Sequence, residues 1–142
     1  MKWKYYIGFW LCLICGNTVS SQHFIGEPKS RVKKLMDEQR KELNIDEFSV
    51  NTVFNTLKYI DRLQSQTLLF VFTEEDICLY SKWMCDYSMM NKVISDLSAN
   101  YKKSSANTWY YDYQKQRYII TLSKGEWFFT ITTRKEEKFK DR

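Results

Sequence analysis

The chain has 142 residues, of which 44% are hydrophobic, 27% charged and 17% aromatic, and its formal charge is +5. That length bounds it to one domain with a modest continuous core, and the composition excludes a disordered or fibrous chain. Lys and Arg alternate with Asp and Glu, as in Arg134-Lys135-Glu136-Glu137-Lys138. Such interleaving is a solvated surface, not the clustered basic face that grips nucleic acid.

Met1-Lys2-Trp3-Lys4 is a short basic start, Tyr5 to Cys15 is uncharged and mostly apolar, and Gly16 to Ser21 is small and polar. An apolar run this short falls below a membrane span and matches the core of an export signal. Val19 and Ser21 stand at the two small-residue positions of a cleavage after Ser21. The expectation is a removable signal over 1–21, one domain over 22–134, a charged tail over 135–142, and a periplasmic or secreted product. An uncleaved anchor would be the only membrane contact. A lipid attached at Cys15 is a further alternative, disfavoured by the bulky Ile14 before it.

Phe24-Ile25-Gly26-Glu27-Pro28 is an apolar stub whose Pro suits a first helical turn. From Ser30, Val32, Leu35, Met36 and Leu43 recur at helical spacing, which predicts an amphipathic helix ending near Asn44. Ile45 to Val53 reads as loop or a short strand. Strands are predicted over Phe54–Asp61, Thr67–Thr73 and Asp76–Lys82, the last two forming a hairpin across Glu74-Glu75. Met89, Met90, Val93, Ile94, Leu97 and Tyr101 form the stripe of a second helix, which Asp86 or Ser88 can cap. Lys102 to Asn107 reads as a polar loop. Three more strands follow over Thr108–Tyr113, Arg117–Ser123 and Glu126–Thr133, with Gly125 able to supply a positive φ in the last turn.

Only Cys78 and Cys85 remain once the signal is removed. Extended chain between them spans about 23 Å, far beyond the roughly 7 Å between Cα atoms that a disulfide tolerates. Two thiols are favoured over a bridge.

The fold class this implies is α+β: a single antiparallel sheet of about six strands with two helices on one face, in the order α-β-β-β-α-β-β-β. Thr67 to Tyr80 matches Tyr118 to Ile131 in pattern, which suggests two α-β-β-β half-repeats over 28–83 and 86–133. The segment Phe24-Ile-Gly-Glu-Pro-Lys-Ser-Arg-Val32, following the signal, resembles the start of many small exported bacterial proteins. The repeated layout is similar to envelope proteins of the β-lactamase-inhibitor-protein-like group. That resemblance implies a binding role on the open face of a sheet, in a bacterial envelope setting; the group's half-repeat has two helices and four strands, where one and three are read here.

Chemistry is sparse. The only His, His23, lies beside the predicted mature terminus, where a base would be poorly held. With it go Ser/His/Asp and Cys/His nucleophiles and a His-based zinc site. The four Gly are isolated, so there is no phosphate loop. Glu74, Glu75 and Asp76 read as a soluble hairpin tip. No catalytic residue, metal site or cofactor is expected.

Strand alternation puts Trp127, Phe129 and Ile131 on one face, with Tyr118, Ile120 and Leu122, as core under the helices. The opposite face then carries Ile119, Thr121, Phe128, Thr130 and Thr132, with Tyr80 and Tyr110 nearby. Tyr80, Tyr110, Ile119, Phe128 and Thr130 are the candidate binding residues, since Tyr and other aromatics dominate binding hot spots. The leading expectation is a non-enzymatic module binding another envelope or secreted protein, with no nucleic acid involved. A carrier of a small apolar ligand, with Met36, Met89 and Met90 lining its cavity, is the alternative. A hydrolase using Glu74, Asp76 or Asp112 comes third.

Overall fold

Two amphipathic helices set the layout of the computed structural model, which describes residues 23–47 and 54–138. The expected signal over 1–21 therefore lies outside the described residues. Helix α1 (Lys29–Gln39) starts on Pro28, whose fixed φ of −63° presets the first turn, and it buries Val32 and Met36. It ends earlier than predicted because Arg40 leaves the helical region at φ −125°. Leu43 is buried all the same, reached by a turn closed by its N–H to the Arg40 carbonyl at 3.0 Å. Helix α2 (Met90–Asn100) buries Val93 and Leu97. It follows a single 3-10 turn over Tyr87–Met89, capped by Asp86 accepting from the Ser88 N–H at 2.9 Å.

The strands are β1 (Asn44–Ile45), β2 (Thr56–Ile60), β3 (Gln66–Phe72), β4 (Cys78–Asp86), β5 (Lys102–Ser105), β6 (Thr108–Tyr113), β7 (Gln116–Lys124) and β8 (Phe128–Lys135). They form one antiparallel sheet in the order β1-β2-β3-β4-β8-β7-β6-β5. The α+β class and the single antiparallel sheet agree with the sequence reading. The strand number does not: eight replace about six, and the order becomes one helix and four strands in each half. The two additions are edge strands. β5 is Lys-Lys-Ser-Ser with every residue exposed, so it carries no burial pattern to read, and its lysines are what a protected sheet edge uses. β1 is two residues long and equally exposed.

The topology reads the same from either edge, with β1–β4 from the first half and β5–β8 from the second, joined where β4 pairs β8. The sequence match of Thr67 onto Tyr118 is one residue out of phase. It pairs buried Leu68 with the outward Ile119, whereas the buried sets are Leu68, Phe70, Phe72 and Tyr118, Ile120, Leu122. A slip of one residue exchanges the two faces of a strand.

Both helices lie on one face. Leu68, Trp83, Ile131 and Leu122 are successive partners across β3, β4, β8 and β7. Around them the core divides in two. Under α1, Val32 and Met36 meet Leu57, Tyr59, Phe70 and Phe72. Under α2, Val93 and Leu97 meet Trp109, Ile120, Phe129 and Ile131. Trp83 and Tyr111 pack against both halves.

Two turn details correct the sequence reading. Gly125 does not adopt a positive φ; its need is space, since a Cβ there would come 2.8 Å from the Phe128 carbonyl oxygen. Trp127 is 79% exposed and leaves the core set, because β8 begins only at Phe128 and the preceding residues belong to the turn. Cys78 and Cys85 are free and buried near opposite ends of β4, and burial pushes both thiols up to about 12. At neutral pH they are unreactive packing residues.

Candidate functional site

The face of the sheet away from the helices holds all five candidate residues. Tyr80, Ile119 and Tyr110 fall in one cross-strand row, with Arg134 between the first two and Lys102 at the end. Next to it runs a row of Lys82, Thr132, Thr121 and Thr108, followed by one of Met84, Thr130 and Ser123. Phe128 lies further off. It pairs with Asp86 at the start of β8, about 20 Å along the strand from Arg134. The compact part of the site is therefore the Tyr80–Tyr110 row; Phe128, 44% exposed, is a separate outpost beside Trp127.

Sequence reading missed the cations, because it took every Lys and Arg as dispersed surface. In the folded sheet they stand over the rings. The Arg117 guanidinium lies 4.2 Å from the Tyr110 ring centroid and Lys102 at 6.0 Å, while Lys82 lies 5.9 Å from the Tyr80 centroid. Asp112, directly opposite Arg117, grips it with two bonds of 3.0 and 3.3 Å, which fixes the guanidinium above the ring. Those bonds from Arg117 also lower the Asp112 pKa. Residue parity was the available signal: Lys82 and Arg134 share the even-numbered face with Tyr80 and Thr132. Beyond Tyr80 and Arg134 the surface sinks into a hollow of about 830 Å³, bounded by Leu79, Gln116 and the chain from Lys135 to Lys138. A β-bulge at Val71/Phe72 shapes this end and leaves Leu79 outward.

The carboxylates do not converge. Glu74 and Glu75 are exposed at the β3–β4 tip. Asp76 serves the turn: at φ 62° it adopts the left-handed conformation Asp tolerates, its side chain accepts from Asn55, and its carbonyl accepts from the Lys29 N–H at 2.8 Å. Asp112 belongs to β6, three strands from β4 in the sheet. Among the described residues no cluster of His, Cys, Asp and Glu could hold a metal, and no helix is long and apolar enough to cross a membrane.

His23 is firmly held, contrary to expectation. Its Nδ1 lies 2.8 Å from the Tyr111 hydroxyl, its ring stacks on Tyr113 at 4.3 Å, and Tyr118 meets it edge-on at 4.5 Å. The chain just after it is stitched down by the Gly26 N–H to the Cys78 carbonyl at 2.7 Å and the Cys78 N–H to the Glu27 carbonyl at 2.9 Å. Burial lowers the His23 pKa from 6.5, against a smaller opposing pull from Glu27. The unfolded chain therefore takes up this proton at higher pH than the folded one. The stability due to neutral His23 is complete above pH 6.5 and is lost as pH falls through the lowered folded value. Thermal melts at about pH 7.5 and about pH 5 should show a larger drop for the wild type than for His23→Phe, which keeps the ring stack without the titration. Equal drops would remove His23 from the pH response.

No family model matches the chain, and neither a curated protein nor a solved structure matches it.

Proposed function

We propose that this chain is a non-enzymatic binding protein of the bacterial envelope that engages another exported protein through the free face of its sheet. The observation that carries this is the row Tyr80–Arg134–Ile119–Tyr110. Its two tyrosine rings are braced by Lys82, Lys102 and Arg117, and it ends in a hollow. Aromatic and Arg side chains beside a pocket are the usual anchors of a protein interface. Arg134 and Lys102 make the charge on this row basic, so the fitting partner presents an acidic surface to it, while the hollow, lined by Arg134, Lys135, Glu136 and Glu137, is of mixed charge. Base stacking on single-stranded nucleic acid is disfavoured because Arg117 already stands over the Tyr110 ring. The envelope setting rests on residues 1–21 as an export signal.

The test is recovery of a partner from the producing cells by the full chain, with Tyr80→Ala/Tyr110→Ala in parallel. The reading requires a single protein bound by the wild type and lost by a folded double variant. Equal recovery by both, or a strongly salt-dependent affinity for single-stranded DNA in place of a protein, would overturn it.

A further inference from the structure

Eight strands about 4.8 Å apart span roughly 34 Å, while two helices of about 10 Å diameter cover roughly 20 Å of that width. The uncovered strip falls where the two halves of the core meet, above β4 and β8. There the helix side of the sheet opens into a cleft of about 500 Å³, within the range of small-molecule sites. Apolar side chains from both halves wall it, among them Phe24, Leu68, Trp83, Leu97 and Ile131. Met36, Met89 and Met90 do not line it: Met36 is fully buried on the inner side of α1 in the first half of the core, and the other two pack against the α2 half.

Two features of this cleft are not needed to build a core. Ser81 and Thr133 are direct partners across β4 and β8 and place two hydroxyls on its floor. Ser81 is the single buried polar residue among the described residues, at 8% exposed. Arg40 also lines the cleft, its guanidinium 5.4 Å from the Trp83 ring centroid. Its Nε donates to Glu42 at 2.5 Å, which leaves the four N–H groups on its terminal nitrogens. The neighbouring cation, Lys92, is likewise ion-paired, with Asp96 at 2.6 Å, but its one ammonium has no second nitrogen to offer a ligand.

We propose that this cleft binds a small apolar carboxylate, its hydrocarbon body between the helices over Trp83 and Ile131 and its head group held by Arg40. The hydroxyls of Ser81 and Thr133 hydrogen-bond a polar substituent on the body or a water that accompanies it. A guanidinium with a free terminal edge recognises a carboxylate by two parallel bonds, which sets charge as the selective feature. The cleft and the free sheet face lie on opposite sides of the sheet, so ligand and protein partner can bind together, and failure of either reading leaves the other intact.

The experiment titrates the purified full chain with dodecanoate and, separately, with 1-dodecanol, following the Trp83 indole resonance by NMR and affinity by calorimetry. The result expected is saturable 1:1 binding of dodecanoate, about tenfold or more tighter than dodecanol. In Arg40→Gln that preference vanishes while the alcohol binds as before, and Arg40→Lys restores part of it. Thr133→Leu, which fills the floor, weakens both ligands. Absence of saturable binding, a dodecanoate preference unchanged in Arg40→Gln, or resonance shifts confined to the opposite face would each overturn the assignment.

Discussion

Trp109→Ala is expected to cost about 3–5 kcal/mol of folding stability, the largest loss of any single truncation on the α2 side. Trp109 is 0% exposed and sits between α2 and β7, among Leu97, Ile120 and Phe129. Its indole N–H also donates to Ser98 Oγ at 3.2 Å, which ties the sheet to the helix above it. Removing the ring leaves a cavity that two separate helices cannot close, because each rests on its own half of the core. Set against a total of about 5–15 kcal/mol for a domain of this size, the variant sits near the edge of folding. Trp109→Phe keeps most of the volume and should lose about 1–2 kcal/mol. Urea midpoints for the two variants check this; a loss below about 1 kcal/mol for the alanine would mean that the ring is not the centre of the α2 half.

Tyr80→Ala/Tyr110→Ala should have the opposite profile, a small effect on folding and a large one on binding. Both rings are half-buried on a face that no described element covers, and their contacts are with Lys82, Lys102 and Arg117. Cation–π contacts at such sites contribute about 0.5–1 kcal/mol each, so the double variant should lose no more than about 2 kcal/mol of stability. As interface anchors the same rings would contribute about 2 kcal/mol or more apiece. Together that is a drop of roughly a thousandfold in affinity for the partner. Calorimetry with the recovered partner and a parallel urea melt separate the two effects. A variant that unfolds would make the rings core residues, and a folded variant of unchanged affinity would move the interface elsewhere.

The contrast between these variants follows from what alternation could and could not reveal. Tyr118, Ile120, Leu122, Phe129 and Ile131 alternate in sequence, and all are buried. Hairpin partners are close in the chain, so the register between β7 and β8 could be anticipated, and with it the outward set containing Ile119 and Thr130. Trp127 failed because alternation continues on paper through a turn that the backbone does not extend through. β5 failed for the opposite reason. An edge strand in which Lys102, Lys103, Ser104 and Ser105 are all exposed is held by backbone pairing and by lysines lying over rings of β6, neither of which leaves an alternating apolar pattern in the sequence.

The cations of the site were in plain view but unassigned. Arg117 reaches Tyr110 from the next strand, and Arg134 reaches the row because β8 crosses from the second half to pair β4 of the first. The β6–β7 pairing is a local hairpin; the β4–β8 pairing joins distant parts of the chain, and nothing local encodes it. The cleft was illegible for a related reason. It exists only because two short helices sit apart on a wide sheet, and Ser81 meets Thr133 only across that same long-range pair.

What matters most is that one face of the sheet is packed by helices and that no described element covers the other. Hydroxyl-radical footprinting of the purified full chain, read residue by residue by mass spectrometry, tests this most directly. The account predicts strong labelling of Tyr80, Tyr110, Phe128 and Trp127, and protection of Phe70, Trp109 and Phe129. Protection of Tyr80 and Tyr110 equal to that of Phe129, in the protein alone in solution, would contradict it.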